Sequence, residues 1–171
     1  MWIFDATPLI YLAKTERLEV IVGSLDEPCV MPREVYEEVV VVGMDAGYPD
    51  ARRVEQCVEK DLFEVIETSD GPLEAKLSDN DSLSDAEVAV LARASENDAI
   101  AVMDEEYGRN VASVEGIRTR GTAFLVLRLL ESEAIDGDEA RATIDAIIDA
   151  GWYCSPSAYA KIVGKIDSLE R

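Results

Sequence analysis

A three-layer α/β/α sandwich around a mainly parallel sheet, with a helical extension at the carboxyl end, is the fold class this 171-residue sequence predicts. Two observations carry that reading. Short apolar runs alternate with longer helical patterns, as in chains that return each parallel strand through a helix. The apolar content of 48% is that of a globular chain, and no repeat or Gly/Ser-rich linker divides it. One domain over residues 1–171 is expected, with a motif-bearing core at 1–133 and the extension at 134–171.

The elements follow in order. MWIF reads as a short buried strand ending at Asp5, and Pro8 opens the helix that continues through Leu9, Ile10, Leu12 and Ala13. CVM at 29–31 is a second strand before Pro32, and PREVYEEVVVV is a helix that Gly43, Gly47 and Pro49 should break. DARRVEQCVEK is a helix and FEVIE at 63–67 a strand, while TSDGPLEAKLSDNDS, polar with a Gly-Pro pair, predicts a surface loop. SLSDAEVAVLARASEND gives a strong helix, AIAVM at 99–103 the most convincing buried strand, and EEYGRNVASVE another helix. GIRT at 116–119 is a short strand, and Gly121-Thr122 leads into the helix AFLVLRLLESE. DGDEARATIDAIIDAG is amphipathic, with Ile144, Ile147 and Ile148 on one face, and Ser155-Pro156 starts a last helix. Trp152, Tyr153 and Tyr159, around that last junction, are expected either to pack on the core or to form an interface.

Composition narrows the setting. The net charge is -20 with no histidine. Such self-repulsion destabilises a compact chain unless salt screens it, so a molar-salt, halophilic cell interior is the simplest setting. It also argues against unaided long-range attraction of nucleic acid, an objection that weakens where salt screens such fields. Cys29, Cys57 and Cys154 are odd in number and far apart, which predicts neither a disulfide framework nor a zinc site. No apolar run reaches about 18 residues and no basic leader precedes the first strand, so no membrane association and a cytoplasmic location are expected.

In open parallel sheets functional groups gather beyond the carboxyl ends of the strands. That rule selects Asp5 after MWIF and Asp104 with Glu105 after AIAVM, joined by Glu38 and Glu87 early in helices aimed at the same edge. Several carboxylates at one point raise one another's pKa unless a cation joins them, and all-oxygen donors favour Mg²⁺ or Mn²⁺ over zinc. Each acid has a structural explanation as well. Ser84-Asp-Ala-Glu87 satisfies the capping-box pattern. Asp104, Glu105 and Glu106 stand where a helix amino terminus favours negative charge. Glu38 lies among surface acids, and Asp5 sits where it would cap the following helix.

Four segments in order resemble the PIN-domain family of metal-dependent ribonucleases. FDATPLIYLAK is similar to its opening strand, Asp-x-Thr/Ser and apolar helix, and PREVYEEV to Pro-x-x-Val-x-x-Glu. LSDAEVAVLARA is similar to a segment in which Ala86 replaces the usual glycine, and AVMDEEYGRNVASVEGIRTRGT to the segment with paired acids, an arginine and a Gly-Thr turn. The resemblance implies a site of Asp5, Glu38, Glu87 and Asp104 holding Mg²⁺ or Mn²⁺. Glu105 stands where relatives have a second Asp, as ligand or outer-shell group. Thr7 and Thr122 would orient a carboxylate or a metal-bound water, or serve as helix caps. Arg109, Arg118 and Arg120 would hold phosphates or pair with local acids. The implied function is RNA phosphodiester hydrolysis, with a toxin restrained by a small antitoxin, and a homodimer, as the implied context. The rivals are a housekeeping RNA-processing nuclease and a PIN-fold binding or scaffold protein. A receiver domain would need an acidic pair after the first strand, and a dehalogenase-like phosphatase Asp-x-Asp. Asp5-Ala6-Thr7 meets neither requirement.

Overall fold

A computed structural model describes residues 1–67 and 69–171. Thr68, within the expected surface loop, lies outside the described residues. Five parallel strands form the central sheet: β1 Trp2–Phe4, β2 Cys29–Pro32, β3 Glu64–Ile66, β4 Ile100–Val102 and β5 Thr119–Arg120. Their spatial order is β3-β2-β1-β4-β5. In register, Trp2, Ile3 and Phe4 stand beside Ile100, Ala101 and Val102. Helices flank the sheet in a three-layer α/β/α arrangement.

The three central strands, β2, β1 and β4, are short and wholly apolar because helices cover both faces, whereas the edge strands β3 and β5 carry Glu64, Thr119 and Arg120. Ile3, Phe4, Val30, Met31, Ala101 and Val102 are fully buried. Phe4 meets Phe63 edge to face, ring centroids 5.0 Å apart. The helices in chain order are α1 Ala6–Lys14, α2 Leu18–Gly23, α3 Arg33–Tyr36, α4 Gly43–Asp45, α5 Pro49–Glu59, α6 Pro72–Ser78, α7 Asp85–Glu96, α8 Glu106–Val114, α9 Thr122–Glu131, α10 Gly137–Asp149 and α11 Pro156–Leu169. The helix α7 packs across β1, β2 and β4, while α1 packs on α5 and α10. Ile144 and Ile147 of α10 and Ile166 of α11 belong to the same hydrophobic core as the strands.

Several details differ from expectation, among them α2, which lies where no element was expected. The segment predicted as a surface loop contains α6, because Gly71-Pro72 places proline at the first helical position, where its missing N–H costs nothing. Leu73 and Leu77, one turn apart, then turn inward against the core. The fifth strand begins at Thr119, so only the end of GIRT is extended. Finally, the helix after β2 is not regular. Residues Glu37–Val42 between α3 and α4 form a π-helical segment, a wider turn frequent at functional sites.

Gly43 does not stop that helix, which runs on to Asp45, and Gly47, at φ 79°, ends it. The role of Gly43 is close approach: a Cβ there would stand 2.7 Å from the Ala51 Cβ on α5. Gly43→Val should therefore lower the urea midpoint. Overpacking costs about 1–3 kcal/mol, more than the few tenths that valine regains in helix propensity over glycine. A midpoint at or above the parent's would show that α5 gives way freely.

Candidate metal centre

The strand order changes direction between β1 and β4. From β1 the chain moves outward to β2 and β3, and from β4 it moves the other way to β5. The two strands therefore diverge in their connections and leave a crevice beyond their carboxyl ends. The Asp5 amide donates to the Val102 carbonyl at 2.9 Å, tying the end of β1 to that of β4. Asp5 and Asp104 are thus delivered to one crevice by the two central strands.

Asp5 occupies the cap position of α1, yet its carboxylate makes no capping hydrogen bond. It is buried, 5% exposed. Burial pushes its pKa from the ordinary 3.8 up to about 7; the Ala6 backbone amide opposes the shift, and the charges of Glu87, Glu38 and Asp104 add to it. Three of the acids singled out from the sequence thus act on the fourth, Asp5. Glu38, on the π-helical segment, is itself raised, first by partial burial and then by the charge of Glu87.

Two of the structural explanations are realised beside this coupling. Ser84 and Glu87 form a complete capping box: the Glu87 amide donates to Ser84 Oγ at 3.1 Å, and the Ser84 amide to Glu87 Oε2 at 2.8 Å. Glu87 Oε1 is not part of that box and faces the first turn of α8 at Gly108. Glu105 caps α8, its Oε2 accepting from the Gly108 amide at 2.8 Å.

Asp104 is the most constrained acid. Its Oδ1 accepts from the Thr122 amide at 2.7 Å, and its Oδ2 accepts from Thr122 Oγ1 at 2.6 Å and from Trp152 Nε1 at 3.1 Å. Thr122 is wholly buried, so the hydroxyl has a single rigid use. Thr7, in the first turn of α1, makes no hydrogen bond to any of the four acids. Trp152 was not identified as a site residue from the sequence. The only signal was the aromatic turn GWYC, which said nothing of a partner 48 residues away.

The arginines separate. Arg118 donates to the Asp98 carbonyl and pairs with its carboxylate at 3.7 Å. Arg120 lies over the Phe124 ring, 5.0 Å from its centroid. Arg109 forms no ion pair among the described residues. A Cβ at Gly121 would stand 2.9 Å from Asp104 Oδ1 and 3.1 Å from Arg109 Nη1, so that glycine leaves the space those two groups share.

Among the described residues no three Asp, Glu or Cys side chains are arranged to hold a metal ion as they stand. In kind, the donor set fits a hard divalent cation. The acids offer only oxygen, Glu87 Oε1 is outside the capping box, Asp104 Oδ1 accepts one bond of the two it has lone pairs for, and Asp5 carries an uncompensated repulsion.

The family model described as PIN domain matches residues 1–168. The chain belongs to the PIN-domain family. Members of that family are generally metal-dependent nucleases. Among solved structures the chain is similar to a PilT N-terminus domain protein from the hyperthermophilic archaeon Sulfolobus solfataricus, with TM-score 0.52 and 16% identity over 73% of this chain and 90% of that one. It is also similar to a domain of a functionally unknown protein from Methanocaldococcus jannaschii, with TM-score 0.47 and 17% identity over 70% of this chain and 89% of that one. No curated protein matches the chain. The family match runs through α10 and most of α11, so the carboxyl-terminal helices are spanned by it. No helix among the described residues is long and apolar enough to cross a membrane.

Proposed function

We propose that this PIN-domain chain is a divalent-metal-dependent ribonuclease in which Asp5, Glu38, Glu87 and Asp104 hold Mg²⁺ or Mn²⁺. The observation that carries the reading is Asp5: a buried carboxyl at the switch point of a parallel sheet, repelled by three other acids and without a capping role. A carboxylate kept for stability alone would gain a cationic partner; this one meets burial and the charges of three acids, opposed by the Ala6 backbone amide alone. The cation would activate a water and stabilise charge developing on the scissile phosphate.

The rest belongs to the chain's own groups. Asp5 must shed its proton to become a ligand, so cation uptake and proton release are coupled at neutral pH. Thr122 and Trp152 hold the Asp104 carboxylate in one orientation. Glu87 is steadied by Ser84, Glu105 by its cap on α8 as an outer-shell group, and Arg109 stands where a phosphate oxygen would enter beside Asp104. One domain, a cytoplasmic toxin restrained by a small antitoxin, a homodimer and a halophilic host complete the proposal.

The test is RNA cleavage in Mn²⁺ or Mg²⁺ at high KCl. Wild type cleaving no better than Asp5→Asn across a broad RNA panel sinks the reading. Thr122→Val supplies a finer check. It keeps the backbone donor to Asp104 and removes the hydroxyl, so Mn²⁺ affinity measured by calorimetry should fall about 10–100-fold, as when a group orienting a metal ligand is lost. Unchanged affinity would mean that Asp104 does not need that hydroxyl to bind.

A further inference from the structure

A groove leads away from Asp104 between the amino-terminal end of α9 and the turn joining α10 to α11, and Arg109, Arg120, Phe124, Trp152 and Tyr153 line it. We infer that this groove seats an unpaired RNA strand, its bases stacking on the exposed aromatic face and its phosphates held by the two arginines. The identity of the strand as the reaction's substrate rests on the ribonuclease reading.

Charge is the first argument. Six of the eleven arginines, Arg33, Arg52, Arg53, Arg93, Arg118 and Arg141, are paired with carboxylates; of the five that form no ion pair among the described residues, Arg17, Arg128 and Arg171 lie outside the groove. Arg109 and Arg120 line the same groove and neither forms an ion pair among the described residues, in a chain of net charge -20. Two guanidiniums left to face solvent beside an acidic pole complement a polyanion that must reach that pole.

The aromatic residues supply the second argument. Tyr153 is 86% exposed, the most exposed large aromatic of the chain, although it follows Trp152, which is half-buried and bonded to Asp104. Phe124 holds the Arg120 guanidinium over its ring, leaving a flat cationic surface. Flat aromatic and guanidinium faces take bases that have left a helix, whereas duplex RNA is recognised by its shape and backbone. Stacking is also short-ranged and survives salt, which suits a surface that cannot attract RNA from afar.

The experiment measures binding without cleavage. A short, labelled, unstructured RNA is titrated with the full chain in EDTA and about 1 M KCl, with anisotropy as readout. Tyr153→Ala and Arg120→Ala should each weaken binding about tenfold, while Tyr153→Phe, which keeps the ring, should stay near wild type. The same strand annealed to its complement should bind at least about tenfold less tightly. Trp152 emission should change on binding, because Trp2, the other tryptophan, lies in the core.

Variants that bind like wild type, or a duplex that binds as well as the single strand, overturn the inference; the first result would instead mark the groove as a surface for a protein partner. Cleavage in Mn²⁺ is scored in parallel. If RNA is cut while the groove variants bind normally, the groove falls and the nuclease reading stands. If binding depends on the groove and nothing is cut, the groove stands and the nuclease reading falls. If wild type neither binds nor cuts, both fall.

Discussion

An Asp5→Asn protein is expected to lose at least about a hundredfold in cleavage rate and, at pH 8 without metal, to be more stable than its parent. Removing a group that merely orients a metal ligand already costs about 10–100-fold, so removing a ligand should cost more. The stability gain comes from the same carboxyl. Its pKa is 3.8 ordinarily and about 7 in the fold, so between those values the folded chain holds a proton that the unfolded chain has released. Stability is therefore lost as pH rises through that window, and the loss is complete above about pH 7. At 1.36 kcal/mol for each tenfold change, the penalty is at most about 4 kcal/mol.

Asparagine has the same shape and no charge to bury, so it escapes the penalty. In a chain of this size about 1 kcal/mol moves the melting temperature by about 2–4 °C. Melting in EDTA should show the variant's advantage growing from pH 4 to pH 8, and Mn²⁺ should stabilise the parent but not the variant. An advantage independent of pH would mean that Asp5 is not the group that titrates.

The second large effect is that of salt. Raising KCl from about 0.1 M to about 2 M should stabilise the fold by several kcal/mol, on the order of half the ~5–15 kcal/mol typical of a domain. Two contributions oppose each other. Screening weakens the exposed ion pairs, such as Lys60 with Glu19 and Arg52 with Glu59, but pairs of that kind contribute only about 0–1 kcal/mol each. It also weakens the mutual repulsion behind a net charge of -20, which acts between every pair of unpaired acids. The repulsion wins because it is spread over the whole surface. Urea midpoints that stay level or fall across the salt series would refute this.

What could be read in advance follows from what is local. AIAVM announced β4 because a run of small and β-branched apolar residues bounded by polar ones has few alternatives, and Asp5 stood out because an acid rarely interrupts such a run. The Ser84 capping box is written in consecutive residues and formed as expected. Misreadings arose where one local signal has two meanings. Gly71-Pro72 punctuates a loop or opens a helix, and only the burial of Leu77 against the core chooses the second. Glu87 is a cap and a neighbour of Asp5 at once, because its two oxygens face different ways. The bond from Trp152 to Asp104 was beyond reach for a different reason: nothing in the residues between them encodes their meeting, which depends on how α10 packs.

The π-helical turn at Glu37–Val42 carries a consequence of its own. Such a turn holds one residue more than an α-helix needs for the same advance along its axis. The turn ends on Val41 and Val42, which are 47% and 61% exposed. Deleting one valine would let the helix close into a regular spiral at little cost in burial. The same deletion would swing Glu38 about 100° around the axis relative to α4 and α5. The reach of this carboxylate toward Asp5 is thus a matter of helical phase, set by a single surplus residue on the protein's surface.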